Sequence, residues 1–224
     1  MQHRMVEDLM TRGVVRVGRD TPFKKIAQLL SDNGVAAVPV VDDLGRPVGI
    51  VSEADLLSKV AAQPDPAGLL PLPELTGRGP ARADAATAEE LMTAPPVTAR
   101  PEWTVVEAAR LMDAHRIKRL PVVDEAGVLV GIVSRSDLLR IFLRRDEAIH
   151  EEVAGEVLNR TLGLTPADVT ATVTDGRVVL KGSVAARSLI PVVERLCRGV
   201  DGVVSVETDL IYRSDDTSGA PGTR

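Results

Sequence analysis

The sequence predicts an α+β fold made of a repeated unit and a separate C-terminal domain, on three observations. Sliding the 224-residue chain by 82 positions aligns Met10 with Met92, Pro39 with Pro121 and Asp55 with Asp137 without a gap, and 13 of the 23 positions in Val35–Leu57 and Ile117–Leu139 are identical. Each copy reads strand, helix, strand, strand, helix. The last third reads helix, strand, strand, helix, strand. Two copies are too few for a solenoid, which leaves a pair related by pseudo-twofold symmetry. The expected boundaries are 1–62 and 88–145 for the repeats, 63–87 for a linker, 146–213 for the C-terminal domain and 214–224 for a disordered tail.

Each copy opens on Leu-Met-Thr (Leu9–Thr11 and Leu91–Thr93), then a short extended segment around Val15 or Val97. A helix follows. In the first copy Thr21 is placed to cap it with Pro22 at the first helical position. In the second, Thr104 and Glu107 form a Thr-x-x-Glu capping box. Helical spacing marks Phe23, Ile26, Ala27 and Leu30, and Val105, Ala108, Ala109 and Met112, as the buried stripes. Two strands come next, "AVPVVD" with "PVGIVS" and "LPVVDE" with "LVGIVS", turning at Gly45 and Gly127. The closing helices open at Ser52 and Ser134. Pro39 and Pro121 lie inside strand patterns, where the missing N–H restricts them to an edge or a bulge. Gly49 and Gly131 mark a close approach by a ligand or another backbone; packing between the copies accounts for both pairs equally well. The stretch between the repeats, rich in Pro, Gly and Ala, breaks any helix, and its "LLPLPEL" is apolar enough to dock on a module edge.

After the second repeat, Asp146 is placed to cap a new helix whose apolar face is Ile149, Val153 and Val157. The strands "VTATVTD" and "RVVLKGSV" meet at an Asp175-Gly176 hairpin turn. A helix over Ala186–Arg198 and the strand "VVSVETDLIY" complete a three-stranded sheet that, with an amphipathic helix, is enough to bury a small core.

The composition is that of a soluble globular protein, with 44% hydrophobic and 26% charged residues, and 2% aromatics leave the core to Val, Leu, Ile and Ala. A net charge of -5 argues against nonspecific nucleic-acid binding. The single cysteine, Cys197, excludes an intramolecular disulfide and falls in a helical apolar pattern as a small core residue. The start "MQHRMVEDLM" lacks a secretory apolar stretch, and no run approaches the ~20 residues that span a bilayer, so the expected location is the cytoplasm. His3, His115 and His150 are scattered without metal-ligand spacing, and no phosphate-binding loop or dinucleotide fingerprint occurs. With no catalytic constellation, the expectation is a protein that is not an enzyme.

The Ser-x-x-Asp at each closing helix has two compatible readings. Ser52 and Ser134 are good N-caps, and Asp55 and Asp137 fall at the third helical position, where an acid suits the capping box and the helix dipole. A carboxylate there can also accept two hydrogen bonds from a vicinal diol such as a ribose. The copies differ just before the second strand. One has "HRIKRLPVVD", with His115, Arg116, Lys118 and Arg119; the other has "NGVAAVPVVD", with Ala36 and Ala37. Read from the residues alone, these are solvated cations favourably placed at a helix C-terminus.

These motifs, from about Val6 to Phe142, resemble a tandem pair of cystathionine-β-synthase (CBS) domains, a Bateman module. The resemblance implies a regulatory module that binds an adenosyl ligand, such as AMP, ADP, ATP or S-adenosylmethionine, in clefts between the repeats, with no cofactor required, and that dimerises through its CBS modules. It implies that Asp55 and Asp137 hold the ribose beside Ser52 and Ser134, and that Thr11 and Thr93 line the adenine pocket from the opposite repeat. Arg116, Lys118 and Arg119, with His115, would meet phosphates. Thr98 and the strand residues Val38, Pro39, Leu120 and Pro121 complete the implied set. Asp55, Thr93, Lys118 and Arg119 would then form a phosphate-tolerant cleft, and Asp137, Thr11, Ala36 and Ala37 one that is empty or takes a less charged adenosyl ligand.

From about Glu147 to Tyr212, "VVLKGSV" and "GVVSVETDL" resemble a BON domain. That implies attachment to a membrane or phospholipid, a small ligand or a protein partner. The absence of an export signal and the acidic helix "DEAIHEEVAGEVL" weigh against anionic lipid. Two functions are therefore carried forward. One is a nucleotide-sensing regulator; the other is a dimerising scaffold with no nucleotide ligand.

Overall fold

The computed structural model describes residues 4–61 and 85–217; residues 63–84 of the expected linker, with "LLPLPEL", lie outside them. Contacts divide the chain into two units, Met5–Arg135 and the chain from Ser136 onward joined by the N-terminal stretch through Arg4.

The first unit holds the β-hairpin of each repeat. Helix α1 (Val6–Leu9), β1 (Val17–Gly18), α2 (Phe23–Asn33), β2 (Ala37–Val41), β3 (Pro47–Ser52) and α3 (Glu53–Ala61) belong to the first copy. The second has α4 (Ala88–Leu91), α5 (Val105–Ala114), β4 (Arg119–Val123) and β5 (Leu129–Ser134). The sheet order is β1-β2-β3, with β1 parallel and β3 antiparallel to β2. In the second copy β4 and β5 pair antiparallel, and the place of β1 is taken by a single parallel bridge from Ala99 to Val122, so no strand forms at Val97.

The repeats exchange their heads. Val6 and Glu7 of the first copy donate N–H bonds to Trp103 and Pro101 of the second (2.8 and 3.0 Å). The same bonds recur 82 residues on, from Ala88 to Thr21 and from Glu89 to Arg19 (2.9 and 3.0 Å). Thr11 exchanges backbone bonds with Ile132, and Thr93 with Ile50. The core around Ile26, Leu30, Val38, Val40 and Val51 is accordingly closed by Ala85, Ala88 and Leu91 of the other copy.

This exchange explains the strand glycines. A Cβ on Gly49 would stand 2.7 Å from Met92 Cγ and 2.9 Å from its Cβ; one on Gly131 would stand 3.0 Å from Met10 Cγ. The close neighbour is the methionine of the opposite Leu-Met-Thr. Pro39 lies in the middle strand rather than at an edge, one residue before a register shift between Val40 and Val41.

Two local expectations shift. Helix α2 begins at Phe23 with Pro22 at its cap, and Thr21 gives it no side-chain bond. The reason is the exchange: the Thr21 carbonyl accepts from Ala88 and the Phe23 N–H donates to Ala86, which holds the entering chain extended. On α5, Val105, Ala108 and Met112 are buried and Ala109 is exposed, at the far side of a narrow stripe. The Thr104–Glu107 capping box forms as expected, with Glu107 N–H donating to Thr104 Oγ1 (3.2 Å) and Thr104 N–H to the Glu107 carboxylate (2.7 Å).

Helix α6 (Arg135–Leu139) begins at the last residue of the first unit, and in the second unit it and a 3₁₀ turn (Arg140–Leu143) lead to α7 (Asp146–Glu151). That helix continues as a π-helical stretch over Glu152–Thr161. Strands β6 (Val169–Thr174) and β7 (Arg177–Ala186), helix α8 (Leu189–Arg198) and strand β8 (Ser205–Ser214) complete it, in sheet order β6-β7-β8. Ile149, Val153 and Val157 form the buried helix face, packed with Val178, Leu180, Val193 and Cys197. Burial pushes the Cys197 thiol up to about 11. Helix α8 starts later than expected because β7 runs on to Ala186, paired with Ser214. For the same reason the start expected for the tail, residue 214, is corrected: β8 includes Ser214, Arg187 pairs with Asp215 (2.9 Å), and Ser188 donates to the Asp216 carboxylate from its N–H (3.0 Å) and hydroxyl (2.6 Å), while residues 218–224 lie outside the described residues.

The hairpin turn has Asp175 at φ 51° and Gly176 at φ 71°, the left-handed pair a type I′ turn demands. Asp146 does not cap its helix, where Arg145 holds the cap position; its carboxylate accepts from the Asp175 N–H (2.7 Å) and the Gly176 N–H (2.9 Å). A charged acceptor on two turn donors is worth more than a neutral one. Asp146→Ala is expected to cost about 1–2 kcal/mol of stability, read as a lower urea midpoint by far-UV circular dichroism.

Candidate functional site

The first unit contains a cavity of about 490 Å³, a size suited to a nucleoside-sized ligand. One wall is the start of α3, with Ser52, Glu53, Ala54 and Asp55. Facing residues come from the second copy: Thr93, Val97, and Arg116, Lys118 and Arg119 at the entry to β4. Ala36 and Ala37, at the matching entry to β2, line the same cavity. The head exchange brings Thr93 here, through its paired backbone bonds to Ile50 (2.9 and 3.1 Å).

Asp55 is 3% exposed, and its Oδ2 accepts from the Ser52 N–H (2.9 Å) and hydroxyl (2.6 Å). This is the reciprocal half of a capping box, so the helix-end reading of Ser-x-x-Asp is realised at this copy. The Glu53 N–H is also used, donating to the Ala36 carbonyl (3.1 Å). The charged wall sets three cations, Arg116, Lys118 and Arg119, against the carboxylates of Glu53 and Asp55.

The basic segment is positioned by how α5 ends. His115 is the C-cap, and Arg116 follows at φ 53°, the left-handed region that Gly34 occupies at φ 59° in the first copy. A side chain held there is uncommon, and the turn it makes puts Arg116 on the cavity wall.

The structure therefore gathers Ser52, Asp55, Thr93, Arg116, Lys118 and Arg119 around one space. It does not bring the other expected residues there. His115 is exposed at the helix end. Val38 and Leu120 are fully buried, and Pro39 and Pro121 are buried beside them, because the strands turn these positions into the core. Thr98 is half-buried next to the lining residue Val97. Thr11 pairs with Ile132, Ser134 ends β5, and Asp137 is a half-buried residue of α6. The assignment of Ala36 and Ala37 to a different cleft from Asp55 is corrected, since both β-strand entries open on the Asp55 cavity. Sequence reasoning missed Ile50, Leu57, Pro95 and Pro96, which form apolar lining; the run Thr-Ala-Pro-Pro after Leu-Met was the available signal.

Among the described residues, no helix is long and apolar enough to cross a membrane, and no group of His, Cys, Asp and Glu could hold a metal ion.

The CBS-domain family model matches residues 6–62 and 88–144, and the BON-domain model matches residues 145–214. An uncharacterized protein of Methanocaldococcus jannaschii is 31% identical over 154 residues, which is 62% of this chain and 91% of that protein. The inosine-5′-monophosphate dehydrogenase of Korarchaeum cryptofilum is 28% identical over 149 residues, 64% of this chain but 26% of the enzyme. Among solved structures, the CBS domain pair of protein MJ0100, in complex with 5′-methylthioadenosine and S-adenosyl-L-methionine, aligns with a TM-score of 0.51 at 25% identity, over 63% of this chain and 97% of that one. The CBS-pair protein CBSX2 from Arabidopsis thaliana aligns with a TM-score of 0.50 at 31% identity, over 63% of this chain and 96% of that one.

Proposed function

Because the chain belongs to the CBS-domain family, as a tandem pair followed by a BON domain, we propose that it is a cytoplasmic regulatory sensor of an adenosyl compound. The observation that carries this is the cavity that Asp55, Thr93, Arg116, Lys118 and Arg119 line together. In this reading Asp55 accepts from the ribose hydroxyls, Thr93 and the apolar lining face the adenine, and the three cations take the 5′ arm. The aligned CBS pair that holds S-adenosyl-L-methionine and 5′-methylthioadenosine supports an adenosyl ligand. AMP and ATP fit the cation-rich wall by the same chemistry. Modules pair through their CBS repeats, and ligand binding shifts how the BON domain is presented to a protein partner, small ligand or phospholipid surface.

A second reading, a dimerising scaffold without nucleotide, is favoured by one observation: the Asp55 carboxylate already serves the Ser52 cap. Calorimetric titration of the full chain with 5′-methylthioadenosine, S-adenosylmethionine, AMP and ATP separates the two. The sensor binds at least one of them; no heat with any leaves the scaffold. Lys118→Ala with Arg119→Ala is expected to weaken a phosphate-bearing ligand about tenfold or more, roughly 1.4 kcal/mol, and to leave 5′-methylthioadenosine within about twofold.

A further inference from the structure

We propose that strand β8 pairs antiparallel with β8 of a second copy of this chain, about a twofold axis through Ile211. Strand β8 is the last in the order β6-β7-β8, and no described strand covers its outer edge. It runs ten residues, from Ser205 to Ser214, held in parallel register by β7 on its inner side only. A long, regular edge strand presents a row of backbone donors and acceptors ready for another strand, and native edges are ordinarily blunted by proline, by charged side chains, lysine above all, or by a bulge; the charges here, Glu207, Asp209 and Arg213, are of both signs. This one has no proline or lysine and no break in its register from Ser205 to Tyr212. It also carries exposed apolar side chains, Ile211 at 69% and Tyr212 at 43%.

The occupant follows from the order of residues along the strand. An axis through Ile211 sets Ile211 against its own copy, and Asp209 of each copy against Arg213 of the other, on one face of the sheet. On the other face Leu210 meets Tyr212, again twice. Moving the axis to Leu210 sets Asp209 opposite Ile211; moving it to Tyr212 sets Asp209 opposite Asp215. Only the axis through Ile211 pairs opposite charges and apolar side chains together. The charges are available: Asp209 has no ion-pair partner among the described residues, and Arg213, 72% exposed, meets Asp168 at 3.7 Å.

The test uses the single native cysteine to advantage. Cys197 is buried, and its raised thiol pKa keeps it unreactive, so an introduced thiol is the one that oxidises. The full-length Ile211→Cys variant, oxidised at neutral pH, is expected to give at least fivefold more disulfide-linked dimer than Thr172→Cys on the exposed face of β6. Adding Arg213→Asp to Ile211→Cys should remove that excess, because Asp209 then faces an aspartate. Adding Asp209→Arg as well should restore it. Equal cross-linking at residues 172 and 211, no cross-link at residue 211, or indifference to the charge changes overturns the proposal. Circular dichroism melting confirms that each variant is folded. Dimerisation through the CBS repeats does not respond to charges on β8, so its presence or absence leaves the readout intact, as does the absence of any adenosyl ligand.

Discussion

Gly49→Ala lowers the stability of the first unit by about 1–3 kcal/mol, and Gly131→Ala by clearly less. The two glycines are equivalent by sequence, so the asymmetry is the informative part. At Gly49 the new methyl group would stand 2.9 Å from Met92 Cβ, an atom fixed to the backbone of the exchanged head. The side chain cannot swing away without moving Leu91 and Thr93, which are held by the core and by Ile50. At Gly131 the nearest atoms belong to the Sδ and Cγ end of Met10, with the Thr11 carbonyl at 3.3 Å. That end can change rotamer. Trp103, the one tryptophan in the chain, lies in this unit, so its fluorescence during urea unfolding reports the relevant transition separately from the C-terminal unit. Met92→Ala in the Gly49→Ala background should recover part of the loss, a non-additive pair as expected of residues in contact. Equal costs at the two glycines would mean that the exchanged methionines are not what keeps these positions free of a side chain.

What the sequence reveals and what it hides divide along physical lines. The strand pairs, the Thr104–Glu107 box and the Asp175-Gly176 turn were legible because each rests on residues within a few positions of one another, and the repeat because identical residues recur 82 positions apart. The exchange of heads was not, since its contacts join residues far apart in the chain, from Thr93 and Ile50 to Thr11 and Ile132, and periodicity carries no information about which copy a segment packs on. Its consequences were hidden with it. Helix α2 starts after Pro22 only because Ala88 needs the Thr21 carbonyl. The end of β8 was misplaced because the polar run after Tyr212 reads as a tail, whereas Ser214 is held by its pairing with Ala186. In the site, Asp55, Thr93, Lys118 and Arg119 were legible through the motifs that carry them. Arg116 was named with them from the same basic run, but its left-handed backbone is marked in sequence only by Gly34, the residue that the 82-position alignment sets opposite it. Val38 and Leu120 were assigned one residue too far along their strands, where the side chain has already turned into the core.

Asp55→Asn separates the two uses of the same carboxylate. If the group only finishes α3, the variant loses acceptor strength toward the Ser52 N–H and hydroxyl, at a cost of about 1–2 kcal/mol, and ligand affinity is unchanged. Ser52→Ala, which removes the hydroxyl bond but keeps the carboxylate, then behaves alike. If the carboxylate also accepts from a ribose, the variants part company. Both melt earlier without ligand, but only Asp55→Asn loses the stabilisation that ligand adds. A ligand that binds only the folded chain contributes about 2.7 kcal/mol at one hundred times its Kd. A tenfold weaker site at the same concentration forfeits about half of that. The expected result is therefore a ligand-induced rise in Tm retained by Ser52→Ala and at least halved in Asp55→Asn, measured with whichever adenosyl compound binds the parent. A rise of the same size in all three proteins would assign Asp55 wholly to the helix end and move ribose recognition elsewhere in the cavity. The burial of Asp55 at 3% exposure makes the experiment decisive. A carboxylate so enclosed interacts only with groups that reach it from inside, so any ligand effect of the substitution reports direct contact or a shift of the α3 start that Ser52→Ala would share.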